Sequence, residues 1–216
     1  EAAQLLQQMR ASLPTSNVPV AAGVQRSSVP APSPAPAPQQ QVAPIPTGVP
    51  RTLPPVAPGE FNSATASPQQ RANFINAMVG PANDYAYTKI PPAVFAAIGA
   101  SESNYGRAPS IFGIKGVGSA GGANLATHEV YGGQKVNIND QFAAYNNLDD
   151  AFNHFIDLTS HGRYANAWNN LQQTGDWQGF LRGITAAGYA TDKNWPASII
   201  ALTNDIERNY PQINRR

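Results

Sequence analysis

Thirteen of the chain's twenty prolines fall between Pro14 and Pro58, and no other feature of the 216 residues restricts the fold as much. Each proline fixes φ and removes a backbone donor, so VPAPSPAPAPQQQVAPIPTGVPRTLPPVAPGE can complete neither a helix nor a sheet ladder. Pro-Ala alternation instead favours extended polyproline II at about 3 Å per residue. Residues 14–59 are therefore read as a semi-rigid spacer, able to hold a domain on the order of 100 Å from an anchor. Ahead of it, residues 1–13 offer a short amphipathic helix with Leu5, Leu6 and Met9 on one side. A helix this short barely repays nucleation alone, so the segment is expected to dock on a structural protein partner. The core has to come from residues 60–216, enough chain for one domain.

From residue 60 onward there are eleven Lys or Arg against twelve Asp or Glu, with no basic block. Phosphate backbones are bound by positive patches, so nucleic acid is not an expected partner, and Arg215 and Arg216 read as a solvated tail. No run approaches the length of a membrane span, and no basic stretch precedes an apolar one, so neither membrane insertion nor a signal peptide is expected. Residue 1 is Glu rather than Met, which leaves room for a piece upstream. Without cysteine there is no disulfide staple and no thiolate metal site. His128, His154 and His161 lack ligand spacing, so no metal is expected. The glycines of GRAPSIFGIKGVGSAGGAN lack the strand before and helix after that a phosphate cradle needs, and no cofactor is expected.

Local signals divide the domain into helices and one hairpin. Ser67 and Pro68 are an N-cap with proline at the first helical position, opening PQQRANFINAMV, which is predicted to stop at Gly80-Pro81. Pro91 and Pro92 open a second helix predicted to end near Gly106. LATHEVYGGQKVNIND reads as two strands about Gly132-Gly133, a pair that permits a tight primed turn. Asn147 caps LDDAFNHFIDLTSHG, with Leu148, Phe152, Phe155 and Ile156 inward. RYANAWNNLQ presents Tyr164, Trp168 and Leu171 on one face, DWQGFLRGITAAG starts on Asp176 and ends on Gly188, and Pro196 opens PASIIALTNDIERNY. The expected fold class is mostly α, with a small β-hairpin lobe after the second helix.

One carboxylate stands out. Phe95, Ile98 and Glu102 share a face of the second helix at i, i+3 and i+7, which puts a charge on an apolar stripe. Apolar neighbours and the negative end of the helix dipole both disfavour the ionised form there. A carboxyl kept protonated near neutral pH is what general-acid cleavage of a glycosidic bond needs. The plainer alternative is a solvated rim residue, or a pair with Arg107 or Lys115. The glycines that follow read as a cleft edge rather than core. Such cleavage usually takes a second carboxylate, and Glu129, alternating with Thr127 and Tyr131 along the first strand, is the candidate. Asp140 is a weaker one, and Asp149 and Asp150 are better explained as first-turn residues of a helix. Tyr105, Phe112, Tyr145, Tyr189 and Trp195 lie in or beside loops where rings can stack on sugars, with core packing an equal reading for Phe112 and Tyr145.

Five segments occur in a recognisable order: FAAIGASESNYG, IFGIKG, THEVYGGQ, FAAYNNLDDAFNHFIDL with RY after it, and AGYATDKNW. Over roughly residues 68–210 the chain resembles the glucosaminidase domain of glycoside hydrolase family 73, the flagellar-rod type of peptidoglycan hydrolase. That resemblance implies a lysozyme-like fold cutting the β-1,4 bond between N-acetylglucosamine and N-acetylmuramic acid in bacterial peptidoglycan. It also implies Glu102 as general acid, Glu129 as the second acidic residue on the β-lobe, and Tyr189 as a substrate contact. Two departures from the family pattern are Tyr105, where Trp is common, and APSIFGIK in place of NNLFGIK. A lytic transglycosylase and a non-catalytic wall-binding module are the rival readings. The spacer and the lack of a signal segment point to a virion component such as a phage tail, with a secreted bacterial hydrolase as the alternative.

Overall fold

The protein is represented by a computed structural model that describes residues 66–131 and 134–214. The expected docking segment 1–13, the spacer 14–59, the Gly132-Gly133 turn and the Arg215-Arg216 pair lie outside the described residues. Six α-helices and one antiparallel hairpin make up the longer described elements, in agreement with the expected class.

Helix α1 (Pro68–Asp84) begins as the sequence signals: the Ser67 hydroxyl accepts from Gln70 N, and the Gln70 side chain accepts in return from Ser67 N. Such caps contribute about 1 kcal/mol. The helix does not stop at Gly80-Pro81; it runs on to Asp84, with Pro81 inside it. A proline ring clashes partly with the Cβ of the residue before it, and Gly80 has none. Only one intrahelical bond is forfeited, and Pro81 and Ala82 are buried in exchange.

After a 3-10 turn (Tyr85–Thr88), helix α2 (Pro92–Ser103) runs through the centre of the domain, with nine of its twelve residues buried. It is apolar all round, so the expected single stripe is really a whole circumference, which is the pattern of a helix enclosed by others. It packs against α1 and against α6 (Trp195–Asn209). At Gly99 an added Cβ would lie 3.1 Å from Phe74 Cζ, so glycine here permits the close approach of α1.

Strands β1 (Gly122–Tyr131) and β2 (Gln134–Ala143) pair in register from Gly122 opposite Ala143 to Tyr131 opposite Gln134, the two residues expected to turn lying between them in sequence. Each is longer than the sequence implied. The base of the hairpin is stitched to the preceding loop: Gly116 N donates to Gln141 O at 2.9 Å, and Ala143 N to Ile114 O at 2.8 Å. That loop departs from its expected cleft-edge character, because Ile111, Phe112 and Ile114 are buried.

Helix α3 (Leu148–Ser160) is capped by Asn147 and buries Leu148, Phe152, Phe155 and Ile156. A 3-10 turn (Gly162–Tyr164), α4 (Ala165–Thr174) and α5 (Trp177–Ala186, capped by Asp176) follow, then α6 and a last 3-10 turn (Pro211–Asn214). Four rings form the middle of the core: Phe112 meets Phe152 at 5.1 Å and Phe155 at 4.9 Å, and Phe95 meets Phe152 at 4.9 Å. Stacking and edge contacts of this kind add about 0.5–1.5 kcal/mol per pair beyond burial.

Candidate active site

Glu102 occupies the last turn of α2, and the backbone after it is unusual. Asn104, Tyr105 and Gly106 have φ of 50°, 58° and 78°, three left-handed residues in succession. For an aromatic residue this costs about 1–2 kcal/mol. The turn is held by Tyr105 N donating to Ala100 O at 3.0 Å and Gly106 N donating to the Ser103 hydroxyl at 2.7 Å. Outside it, Phe74 packs edge-on to Tyr105 at 5.9 Å and the Arg71 guanidinium lies 5.2 Å over its ring. The helix therefore ends abruptly just past Glu102.

The Glu102 carboxylate is partly buried and fixed from two sides. Trp195 donates its indole N–H to Oε1 at 2.7 Å, from a side chain only 8% exposed. A hydrogen bond to a charged group of this kind contributes about 1.5–3 kcal/mol. Oε2 lies over Gly113: a Cβ built on that residue would stand 2.3 Å from it, and Gly113 has φ of 63°. Glycine is thus required twice, for the turn and for the space.

Tyr189 completes the cluster. At the end of α5, Gly188 turns left-handed and Tyr189 N donates to Ile184 O at 3.0 Å, which swings the tyrosine off the helix. Its ring meets Trp195 at 5.3 Å, and its hydroxyl donates to the Phe112 carbonyl oxygen. Burial pushes the Tyr189 phenol well above its ordinary value, and the Glu102 charge pushes in the same direction. Both effects keep it a neutral donor.

Of the seven residues picked out in the sequence, the structure gathers the side chains of Glu102, Tyr189 and Trp195. Trp195 enters as the donor that orients Glu102, rather than as an open stacking platform. Phe112 is fully buried, so its ring offers no face to a sugar; it serves through its carbonyl. Tyr145, 3% exposed, is likewise a core ring, its hydroxyl 3.0 Å from His154 Nδ1 and its phenol raised by burial. Tyr105 packs toward α1 and the far end of α6, where Asp205 and Tyr210 are its charged and phenolic neighbours, away from this cluster. Glu129 stands opposite Val136 in the hairpin, and its side chain lies outside the described ones. Asp140 is bound to Lys115 at 2.8 Å, and that hydrogen bond holds its carboxyl below the usual carboxylate range. Lys115 is thereby engaged with Asp140. Gly113 was missed as an individual site residue; its place inside FGIKG, between two buried residues, was the available signal. Among the described residues no three His, Asp or Glu side chains gather closely enough to ligate a metal ion. No helix among them is long and apolar enough to cross a membrane.

A carboxylate at the end of a buried helix, beside a two-stranded lobe, defines the lysozyme-like class of fold. A crystal structure of a peptidoglycan hydrolase mutant from Sphingomonas sp. A1 shares it with a TM-score of 0.52 at 23% identity, over 62% of this chain and 92% of that one. The glucosaminidase family, described as mannosyl-glycoprotein endo-beta-N-acetylglucosaminidase, matches residues 82–208, more than half of the chain, and the chain belongs to that family. Among curated relatives it is 29% identical over 165 residues to the peptidoglycan hydrolase FlgJ of Vibrio parahaemolyticus, covering 69% of this chain and 53% of that protein. It is 23% identical over 170 residues to the exo-glucosaminidase LytG of Bacillus subtilis, covering 73% of this chain and 59% of that protein. The chain thus spans little more than half the length of these relatives.

Proposed function

We infer that the protein is a glycoside hydrolase acting on bacterial peptidoglycan, cleaving the β-1,4 bond between N-acetylglucosamine and N-acetylmuramic acid. The observation that carries this reading is the Glu102 carboxyl, oriented by the Trp195 N–H and seated on Gly113 at the end of a rigid helix. In the reaction, Glu102 donates its proton to the glycosidic oxygen as the bond to the anomeric carbon breaks, and the leaving sugar departs as an alcohol. The Trp195 N–H then stabilises the carboxylate left behind, a donor already in place when negative charge develops. The oxocarbenium-like centre is captured from the opposite side, by water activated at Glu129 or by the substrate's own acetamido oxygen. Tyr189, kept neutral, borders the acid through its ring and is the residue proposed to touch the sugar. Tyr105, Phe112 and Tyr145 are not given that role, because their rings are enclosed or face elsewhere.

The Vibrio parahaemolyticus relative, a peptidoglycan hydrolase, supports the substrate class, and the family match and the Bacillus subtilis exo-glucosaminidase support the kind of bond cut. Delivery by a tether, with residues 1–13 docked on a structural protein and residues 14–59 as spacer in a phage virion, rests on composition alone. The test is to incubate the full chain, wild type and Glu102→Gln, with sacculi and identify released ends by mass spectrometry after borohydride reduction. Reduced N-acetylglucosamine ends from the wild type alone are expected. Anhydro-muramic ends would replace the reading with a transglycosylase, and binding without any fragments would leave a wall-binding module.

A further inference from the structure

A row of rings begins at Glu102 and ends on a cation. Trp195 meets Tyr189 at 5.3 Å, Tyr189 meets Tyr164 edge-on at 6.2 Å, and the Arg163 guanidinium lies 4.9 Å over the Tyr164 ring. Arg163 also rests against the turn that delivers Tyr189, since a Cβ built on Gly188 would lie 3.5 Å from its Nη1. Arg163 is exposed while Tyr164 beneath it is buried. The carboxylates nearest in sequence or on the adjoining elements are engaged elsewhere: Asp157 with His161, Asp176 with Arg182, and Asp192 accepting from Asn194 N. Arg163 is thus located by a ring and a glycine turn, without an acidic partner among the described residues.

A guanidinium fixed in this way keeps its planar fork of donors for a carboxylate arriving from solution. Peptidoglycan supplies such groups, on the stem peptides and, where these are removed, on the lactyl ether of muramic acid. We propose that Arg163 is a specificity-determining residue that pairs with a substrate carboxylate at the rim of the Glu102 site. The inference rests on the hydrolase reading and gives that site a preference for acidic over neutral glycan.

The test uses the full chain as wild type, Arg163→Gln and Arg163→Lys. Three solubilised wall glycans are compared: one bearing its stem peptides, one stripped of them so that lactyl carboxylates are free, and one whose carboxylates have been amidated with carbodiimide and methylamine. Arg163→Gln is expected to raise KM about tenfold on the acidic glycan with kcat unchanged. Wild type should lose the same factor on the amidated glycan, where the variant is indifferent, and Arg163→Lys should recover part of the loss. Wild-type KM should also rise with salt while that of Arg163→Gln does not, because a rim charge pair is screened. An effect confined to the peptide-bearing glycan assigns the stem carboxylates, and one that survives stripping assigns the lactyl group. Equal KM values for wild type and Arg163→Gln on acidic glycan would overturn the proposal, as would an equal loss on the amidated glycan, which marks a purely structural role. A wild type that cleaves none of the three would sink the hydrolase reading itself.

Discussion

The end of α2 and the β-hairpin present their glutamates on backbones of opposite kinds. Helix α2 has nine of twelve residues buried and is clasped by two other helices. The hairpin is a two-stranded ribbon, joined to the rest of the domain at its base by Gly116, Gln141, Ile114 and Ala143. Two-stranded ribbons are marginal by themselves, whereas a helix in a closed core moves only with the core. The difference teaches that the two glutamates stand on unequal supports. Under the proposed reading, the proton donor would have the fixed backbone and the second carboxylate the yielding one.

The largest effect should come from the fixed side. Glu102→Gln is expected to cut wall cleavage by about 10²–10⁴ with little change in melting temperature, read by fragment release and calorimetry. Glu129→Gln should cost less; an equal loss would break the comparison, because it would make the ribbon as demanding as the helix. Gly113→Ala sharpens it from the other direction. The new Cβ at φ of 63° collides with Oε2, so both stability, by about 1–2 kcal/mol, and activity should fall together in denaturation and rate measurements. Trp195→Phe keeps the ring but removes the donor, and kcat should drop about tenfold to a hundredfold with a modest change in KM.

A smaller effect appears at high pH. The folded Tyr189 holds its proton above the ordinary tyrosine value near 10, so its contribution is complete below that value and is lost as pH rises past it. Stability from urea titration should decline beyond pH 10, and Tyr189→Phe should flatten that decline, leaving the part owed to Tyr145, Tyr105 and Tyr87, whose phenols burial also raises. Hydrogen exchange should separate the two regions as well, with α2 amides protected longer than those of β1 and β2.

Much of the fold was legible because its signals are local. Ser67, Asn147 and Asp176 cap the helices they were expected to cap, each through a side-chain oxygen three residues from its donor. Glu102 was legible because a charge in an apolar stretch is conspicuous. What the sequence hid depends on contacts between distant residues. Trp195 and Glu102 are 93 positions apart, and nothing in KNWPAS marks an indole as a donor rather than a stacking face. Tyr105 and Phe112 lie in a glycine-rich stretch whose composition resembles a cleft edge, yet the path of the chain turns one ring toward α1 and the other into the core. The helix boundary at Gly80-Pro81 was missed for a related reason, since burial of Pro81 outweighs a local rule.

The bond between Trp195 and Glu102 also has an optical consequence. Indole emission responds to charge at its N–H, so the site carries its own fluorophore, with Tyr189 as a neighbouring energy donor at 5.3 Å. Subtracting the spectrum of Trp195→Phe would remove the background of Trp168 and Trp177 and leave the colour of one residue. Its shift during a titration or on mixing with glycan would report the charge on the acid and the arrival of a sugar in real time, without a label.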